Sequence, residues 1–219
     1  MKISVVKNIL EANQRIAEEN RQQFSRNQLL VINLMSSPGA GKTSLLEKTI
    51  LGLKDELRIG VVEGDIQSTY DAERIGQTGA PAVQINTGGA CHLDSNMVQE
   101  ALKNLDLPGL DLLFIENVGN LVCPAEFSLG EDFKAMILSV AEGDDKPLKY
   151  PLMFQESRVL IINKIDLLPF CDCNADLMEE RARAINPALQ IFRVSCRTGE
   201  GLEDWISWLR GEMNKPGRP

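Results

Sequence analysis

Histidine is almost missing from this chain: His92 is the only one in 219 residues. Cationic residues are in deficit, 23 Lys and Arg against 31 Asp and Glu, for a formal charge of −8. With no basic excess to neutralise phosphates, non-specific nucleic-acid binding is disfavoured. No apolar run approaches the roughly 20 residues that cross a bilayer. No apolar stretch follows Lys2 and Lys7 before Glu11, so no secretory leader is expected. The five cysteines are odd in number and lack framework spacing, so reduced thiols in the cytoplasm are expected. Internal repeats and low-complexity blocks are absent as well. What is there is an ordinary globular composition, 43% apolar, in a length suited to one α/β domain.

Short apolar runs alternate with helical patterns along the chain. Val5, Val6, Ile9, Ala12, Ile16 and Ala17 recur at near-helical spacing among polar residues, which predicts a lead-in helix over residues 1–27. It would pack either on the domain or on a partner. Strands are expected at 29–35, 59–62, 82–85, 111–116, 133–140, 158–163 and 189–194. Helices are expected from Thr43 to about Lys54, Leu93 to Leu105, Ala175 to Ile185 and Gly201 to Arg210, with a polar loop over 141–148. This alternation predicts a three-layer α/β domain over 28–212, a mainly parallel sheet with helices on both faces, followed by a frayed tail at 213–219.

Two segments carry nucleotide chemistry. Ser36-Ser37-Pro38-Gly39-Ala40-Gly41-Lys42-Thr43 follows a strand and opens a helix, the context of a phosphate-binding loop. Ser36 departs from the usual glycine at the first position. Gly39 and Gly41 let backbone N–H groups turn inward, from Pro38 and Ala40 through to Ser44, and the helix N-terminus adds partial positive charge. Lys42 would neutralise terminal phosphate oxygens and Thr43 would bind Mg²⁺. Asn163-Lys164-Ile165-Asp166 leaves a buried strand, where ligands bind in doubly wound sheets. Asp166 can accept from guanine N1–H and its exocyclic amine, and adenine offers no matching donors. Beyond the next strand, a backbone amide of Ser195-Cys196 could reach guanine O6. Between the two motifs, Glu116 ends a strand and is followed by Asn117, Val118 and Gly119. An acid here holds Mg²⁺ through water, and the Gly119 amide can bond the γ-phosphate. Asp65 reads equally as a second Mg²⁺ residue or as the cap of a helix starting near Ser68. These features predict a GTPase. No glutamine after Gly119 is placed to orient water, so slow turnover is expected.

The thiols form a second theme. Cys91 and His92 sit just before a predicted helix, and a helix N-terminus would lower the Cys91 thiol pKa. Cys123 lies four residues past Gly119. Two thiolates and an imidazole suit Ni²⁺ or Zn²⁺ rather than Mg²⁺, but leave a tetrahedral site one ligand short. On these residues alone, a buried free cysteine and a surface histidine is the favoured reading. Cys171-Asp172-Cys173 reads as a loop before a helix.

Taken together, Ser36–Thr43, Gly88-Gly89-Ala90-Cys91-His92, Glu116-Asn117-Val118-Gly119-Asn120-Leu121-Val122-Cys123-Pro124 and Asn163–Asp166 resemble the HypB family, hydrogenase nickel-incorporation GTPases of the SIMIBI-type P-loop class. The resemblance runs from about residue 28 to near the end. It implies a seven-stranded P-loop GTPase fold that forms a homodimer on GTP. It implies an interfacial metal site of Cys91, His92 and Cys123 for Ni²⁺ or Zn²⁺, which overrides the free-thiol reading. It also implies GTP-dependent nickel delivery to the hydrogenase large-subunit precursor, with a HypA-type metallochaperone as partner. Residues 1–35 contain no cysteine or histidine, so the N-terminal nickel tract of some members is absent there. A urease-accessory type GTPase is the first alternative, but Cys123-Pro124 is followed by Ala125 where a Cys-Pro-His motif is expected. A small-molecule kinase is the second, opposed by Asn163 and Asp166, and a metal-storage protein the third, opposed by the few ligands.

The guanine reader is tested directly by Asp166→Asn. Equilibrium binding should show weaker GTP and gained affinity for xanthosine triphosphate; unchanged GTP binding would mean that Asp166 does not face the base.

Overall fold

The computed structural model describes residues 5–65 and 70–215. Its elements follow the expected alternation: α1 (Val5–Arg26), β1 (Leu30–Ser36), α2 (Lys42–Leu53), β2 (Ile59–Asp65), α3 (Tyr70–Gln77), β3 (Ala82–Asn86), α4 (Ser95–Leu102), β4 (Leu112–Glu116), α5 (Cys123–Glu126), β5 (Phe133–Ser139), α6 (Lys146–Lys149), α7 (Pro151–Glu156), β6 (Ser157–Asn163), α8 (Ala175–Ile185), β7 (Gln190–Arg193) and α9 (Leu202–Met213). The seven strands pair in parallel in the order β3-β2-β4-β1-β5-β6-β7.

Strand side chains alternate between the two faces, so each central strand feeds two cores. Leu30, Ile32 and Leu34 of β1 meet Leu45, Leu46 and Ile50 of α2, with Ile75 of α3 and Trp205 and Leu209 of α9 in the same cluster. Val31 faces the other way, with Phe24 of α1 and Val98 and Leu102 of α4. Met35 joins the group formed by Met153 and Phe154 of α7 and Met178 and Ala182 of α8. Each fully buried large side chain contributes roughly 1.5–3 kcal/mol. The indole N–H of Trp205 donates to Thr49 Oγ1 at 2.9 Å and so ties α9 to the helix behind the phosphate loop.

Four expectations are corrected. The predicted polar loop at 141–148 is largely helical: a 3-10 turn at Val140–Glu142 is closed by a Ser139–Glu142 capping box, and α6 follows. Helix α7, begun by Pro151, was not expected at all. The helix expected from Leu93 starts only at Ser95, because the Asp94 side chain accepts from the Met97 amide and caps it. Helix α9 runs to Met213, into the expected frayed tail. The helix start expected near Ser68 lies outside the described residues.

The lead-in helix packs on the domain, and only part of its predicted apolar face turns inward: Ala17 is buried, and Ala12 and Ile16 are half-buried. Ile9 is 52% exposed, while Asn13, Ala17, Asn20 and Phe24 are buried. The spacing of four, three and four is helical. The asparagines are drawn inward by hydrogen bonds to backbone groups at the start of α4 and in the 128–129 turn. Asn13 donates to Ser128 O and its Oδ1 accepts from the Ser95 amide. Asn20 donates to Ser95 O at 2.9 Å and Leu129 O at 3.1 Å.

Asn20→Ala removes two buried hydrogen bonds to backbone carbonyls. The buried and unpartnered Asn20 Oδ1 leaves with it, which limits the loss. The expected cost is about 2 kcal/mol, a Tm decrease of roughly 4–8 °C by calorimetry at this size. Gln22→Ala on the exposed face should be near neutral, and equal effects would place the wrong face inward.

Candidate nucleotide and metal site

The phosphate loop joins β1 to α2. Gly39 and Gly41 both adopt positive φ, +75° and +104°, which L side chains rarely tolerate. A Cβ on Gly41 would also collide with the Asn163 amide. Gly41 caps α2 without any side-chain acceptor, so the first helical N–H groups point freely into the cleft. Ser36 explains the departure from glycine: it is fully buried at the strand end, and its hydroxyl accepts from Lys42 Nζ at 2.9 Å. The cleft in front of the loop has a volume of about 410 Å³ and is lined by Lys42, Thr43, Glu63, Asp65, Glu116 and Gly119, among others.

Acids crowd this cleft. Thr43 Oγ1 donates to Glu116 Oε1 at 2.9 Å. Glu63 on β2 stands directly opposite Glu116 on β4 in the strand register. Burial, and then the neighbouring Glu116 carboxylate, push the Glu63 carboxyl up to about 8. Burial pushes Glu116 up to about 7 against the pull of Lys42 and the Thr43 hydrogen bond. Burial in turn lowers Lys42, with Glu116 chief among the acids that oppose the shift. The Oε2 atoms of both glutamates are buried without a hydrogen-bond partner. Two orphaned carboxylate oxygens beside a threonine hydroxyl and Asp65 are the hard oxygen donors that Mg²⁺ takes. Glu63 was not anticipated from the sequence. Its only signal is an acid inside the apolar run Val61-Val62-Glu63, and only the register shows what it faces.

Gly119 sits against the phosphate loop, where a Cβ would come within 2.9 Å of Pro38 Cα. Four residues on, Cys123 opens α5, and its Sγ lies 3.3 Å from Cys91 Sγ. His92 Nδ1 lies 3.7 Å from that same Cys91 sulfur. The three ligand atoms are all within 4.8 Å of one another. The expected setting of Cys91 is corrected: it is exposed, and α4 begins four residues beyond it with its N-terminus capped by Asp94. The helix-dipole argument for its thiol therefore falls away. Burial lowers the His92 pKa and favours the neutral imidazole that ligates metals. Its ring packs on Phe127 at 4.0 Å between centroids. Burial, then the Cys91 thiol, raise the Cys123 pKa. Cys171 and Cys173 are half-buried against the cluster under β5 and β6.

The base motif is bound to the cradle. Asn163 Nδ2 donates to Ala40 O at 2.9 Å, and Lys164 Nζ to Gly39 O at 2.7 Å. Lys164 adopts the left-handed region at φ +63°, with its amide bonded to Asn163 Oδ1. Asp166 Oδ1 accepts from Ser195 Oγ at 2.6 Å, and Asn163 Oδ1 also accepts from the Cys196 amide at 3.3 Å. A second hollow, of about 300 Å³, is lined by Ser44, Asn163, Lys164, Asp166 and Cys196. Burial pushes the Cys196 thiol up to about 11. The residues anticipated for phosphate, base and metal thus lie along one edge of the sheet.

Residues 10–193 match the family described as the CobW/HypB/UreG nucleotide-binding domain. The chain is 50% identical to the hydrogenase maturation factor HypB of Escherichia coli K12, over 92% of its own length and 69% of the relative's. It is similar to the crystal structure of HypB from Archaeoglobus fulgidus, with a TM-score of 0.88 at 40% identity, covering 93% of this chain and 100% of the other. It is equally similar to HypB from Helicobacter pylori in complex with nickel, with a TM-score of 0.89 at 39% identity, covering 95% and 98%.

The facing acids set a pH dependence. Both glutamates have folded pKa values above the ordinary 4.5. The stability they contribute is complete below that value and is lost as pH rises through about 7 and about 8. In chelator and without nucleotide, Tm should fall between about pH 4.5 and about pH 8, and fall less in Glu63→Gln, whose amide stays neutral. Parallel declines in both proteins would mean that Glu63 is not strained.

Proposed function

The chain belongs to the HypB hydrogenase maturation factors, and from that premise we propose that it binds and hydrolyses GTP and couples the cycle to handing Ni²⁺ on to hydrogenase. The single observation that carries this reading is one peptide, Glu116–Cys123. It holds an acid facing the nucleotide cleft, a glycine against the phosphate loop and a thiol beside Cys91.

In this reading the backbone amides from Gly39 to Ser44 and Lys42 hold the phosphates, while Asp166 with the Cys196 amide reads guanine. Thr43, Glu116 and Asp65 would hold Mg²⁺, with Glu63 behind them. When bound, the cation neutralises developing charge between the terminal phosphates. Lys42 leaves Ser36 for the phosphate oxygens, and the Gly119 amide donates to the γ-phosphate. Water attacks the γ-phosphorus, the bond to the β-phosphate oxygen breaks, and GDP and phosphate leave. No glutamine closely follows Gly119 to orient that water, so slow intrinsic turnover is expected.

Cys91, His92 and Cys123 hold Ni²⁺ as cargo, with Zn²⁺ as a competitor for the same donors. Three protein ligands leave a position for water or for a second copy of the chain. The lone histidine and both thiols face the surface near Val122, which is 52% exposed. That placement suits a GTP-promoted homodimer and transfer to or from a HypA-type metallochaperone and the hydrogenase large-subunit precursor in the cytoplasm. Movement of Gly119 toward the γ-phosphate displaces Cys123 relative to Cys91 and His92, and release of phosphate reverses it.

Linkage makes this measurable. Chelator competition for Ni²⁺ should give affinities that differ at least about fivefold between the GDP and non-hydrolysable GTP-analogue complexes. Equal affinities would remove the coupling. Phosphoryl transfer to a small acceptor in place of phosphate release would assign the chain to kinase chemistry.

A further inference from the structure

The loop bearing Cys91 and His92 is held from both sides of Gly119. Before it, Asn117 is buried, and its Oδ1 accepts from the Val118 amide and from the Leu93 amide, both at 3.0 Å. Its Nδ2 donates to Asn33 Oδ1 on β1 at 3.2 Å, and Asn33 donates to Glu131 at 3.2 Å. Every amide function of Asn117 is therefore committed to a buried network, and Leu93, next to His92, is pinned to the fixed end of β4. Beyond Gly119 the chain rises to the surface. Asn120 is half-buried there, and its Nδ2 donates to the Cys91 carbonyl at 3.3 Å. Its Oδ1 accepts from the Val122 amide at 2.8 Å, which closes a turn just before Cys123. One amide thus touches the backbone of one thiol ligand and the turn carrying the other.

The two contacts differ mechanically. Asn117 precedes the glycine that packs on Pro38, and Asn120 follows it. A shift of Gly119 toward a phosphate leaves the Asn117–Leu93 bond in place but carries Asn120 along. We propose that Asn120 is the positioning residue of the metal site: it holds the Cys91 and Cys123 thiols at one separation, and displacement of its amide when Gly119 engages the γ-phosphate is what changes that separation. His92 stays fixed through Leu93 and Asn117, and Cys123 is the ligand that moves. This inference rests on the coupling proposed above and names the side chain that transmits it.

The test is Asn120→Ser. A serine hydroxyl can still accept from the Val122 amide and keep the turn, but it is too short to reach the Cys91 carbonyl. Ni²⁺ affinity is read by chelator competition in the GDP and GTP-analogue complexes, and the thiolate-to-Co²⁺ charge-transfer band reports ligand geometry. GDP affinity and Tm are the controls, expected to be unchanged. The expected result is Ni²⁺ binding weakened about tenfold with GDP, as for loss of an orienting contact behind a metal ligand. The charge-transfer band should shift, and the ratio between the two nucleotide states should collapse toward one. Wild-type Ni²⁺ affinities in both states overturn the assignment of Asn120 while leaving nucleotide coupling intact. A wild-type chain that ignores nucleotide overturns the coupling and Asn120's part in transmitting it, and weakened binding in Asn120→Ser would then support the positioning of the thiols alone.

Discussion

Gly119 packed against Pro38 is the contact on which the rest depends. No β-carbon fits between them, so backbone meets backbone where a terminal phosphate would lie. The parallel sheet makes the contact possible. Strand β4 lies between β2 and β1, so its end opens beside both the acids of β2 and the phosphate loop that leaves β1. Cys123 follows within the same short peptide, which is the basis of the coupling proposed between glycine and thiol. Parallel strands with helices on both faces place these ends at the rim of the sheet, where irregular backbone can reach water and ligand.

The electrostatics of the cleft fit the cation site proposed there. Lys42 rests on Ser36 in place of a phosphate, and Glu63 faces Glu116 with an oxygen of each unpaired. Two carboxylates brought together out of water cannot both ionise cheaply, and each rises in pKa. A divalent ion bound there would relieve that repulsion. Some folding stability is thus held back for binding, as is common where function requires groups that the fold alone would not place together.

Much of the site was legible from the chain because its parts are local. A strand, a glycine-rich turn and a helix start are written in consecutive residues, and so are Asn163–Asp166 and the Glu116–Cys123 run. Pairing across the sheet is not written that way. Glu63 looked incidental until β2 registered against β4. Buried asparagines also broke the expected pattern: apolar periodicity placed Ile9 inward on α1, whereas Asn13 and Asn20 are inside because they pair with carbonyls and an amide at the start of α4 and in the 128–129 turn. Cys91 was expected at a helix start, but Asp94 sets that start at Ser95 instead. The run at 141–148 read as a loop from its acids, yet Ser139 and Pro147 cap and open short helices. In each case a partner distant in sequence, or a cap, decided against the local pattern.

The central claim is that one stretch of backbone grips both the terminal phosphate and a thiol ligand. A crystal structure with Mg²⁺ and a non-hydrolysable GTP analogue tests it most directly. The account predicts the Gly119 amide on the γ-phosphate and a Cys91–Cys123 sulfur separation clearly changed from 3.3 Å, with Leu93 still bonded to Asn117. An occupied γ-phosphate site with the two sulfurs and Asn120 where they are now would contradict it.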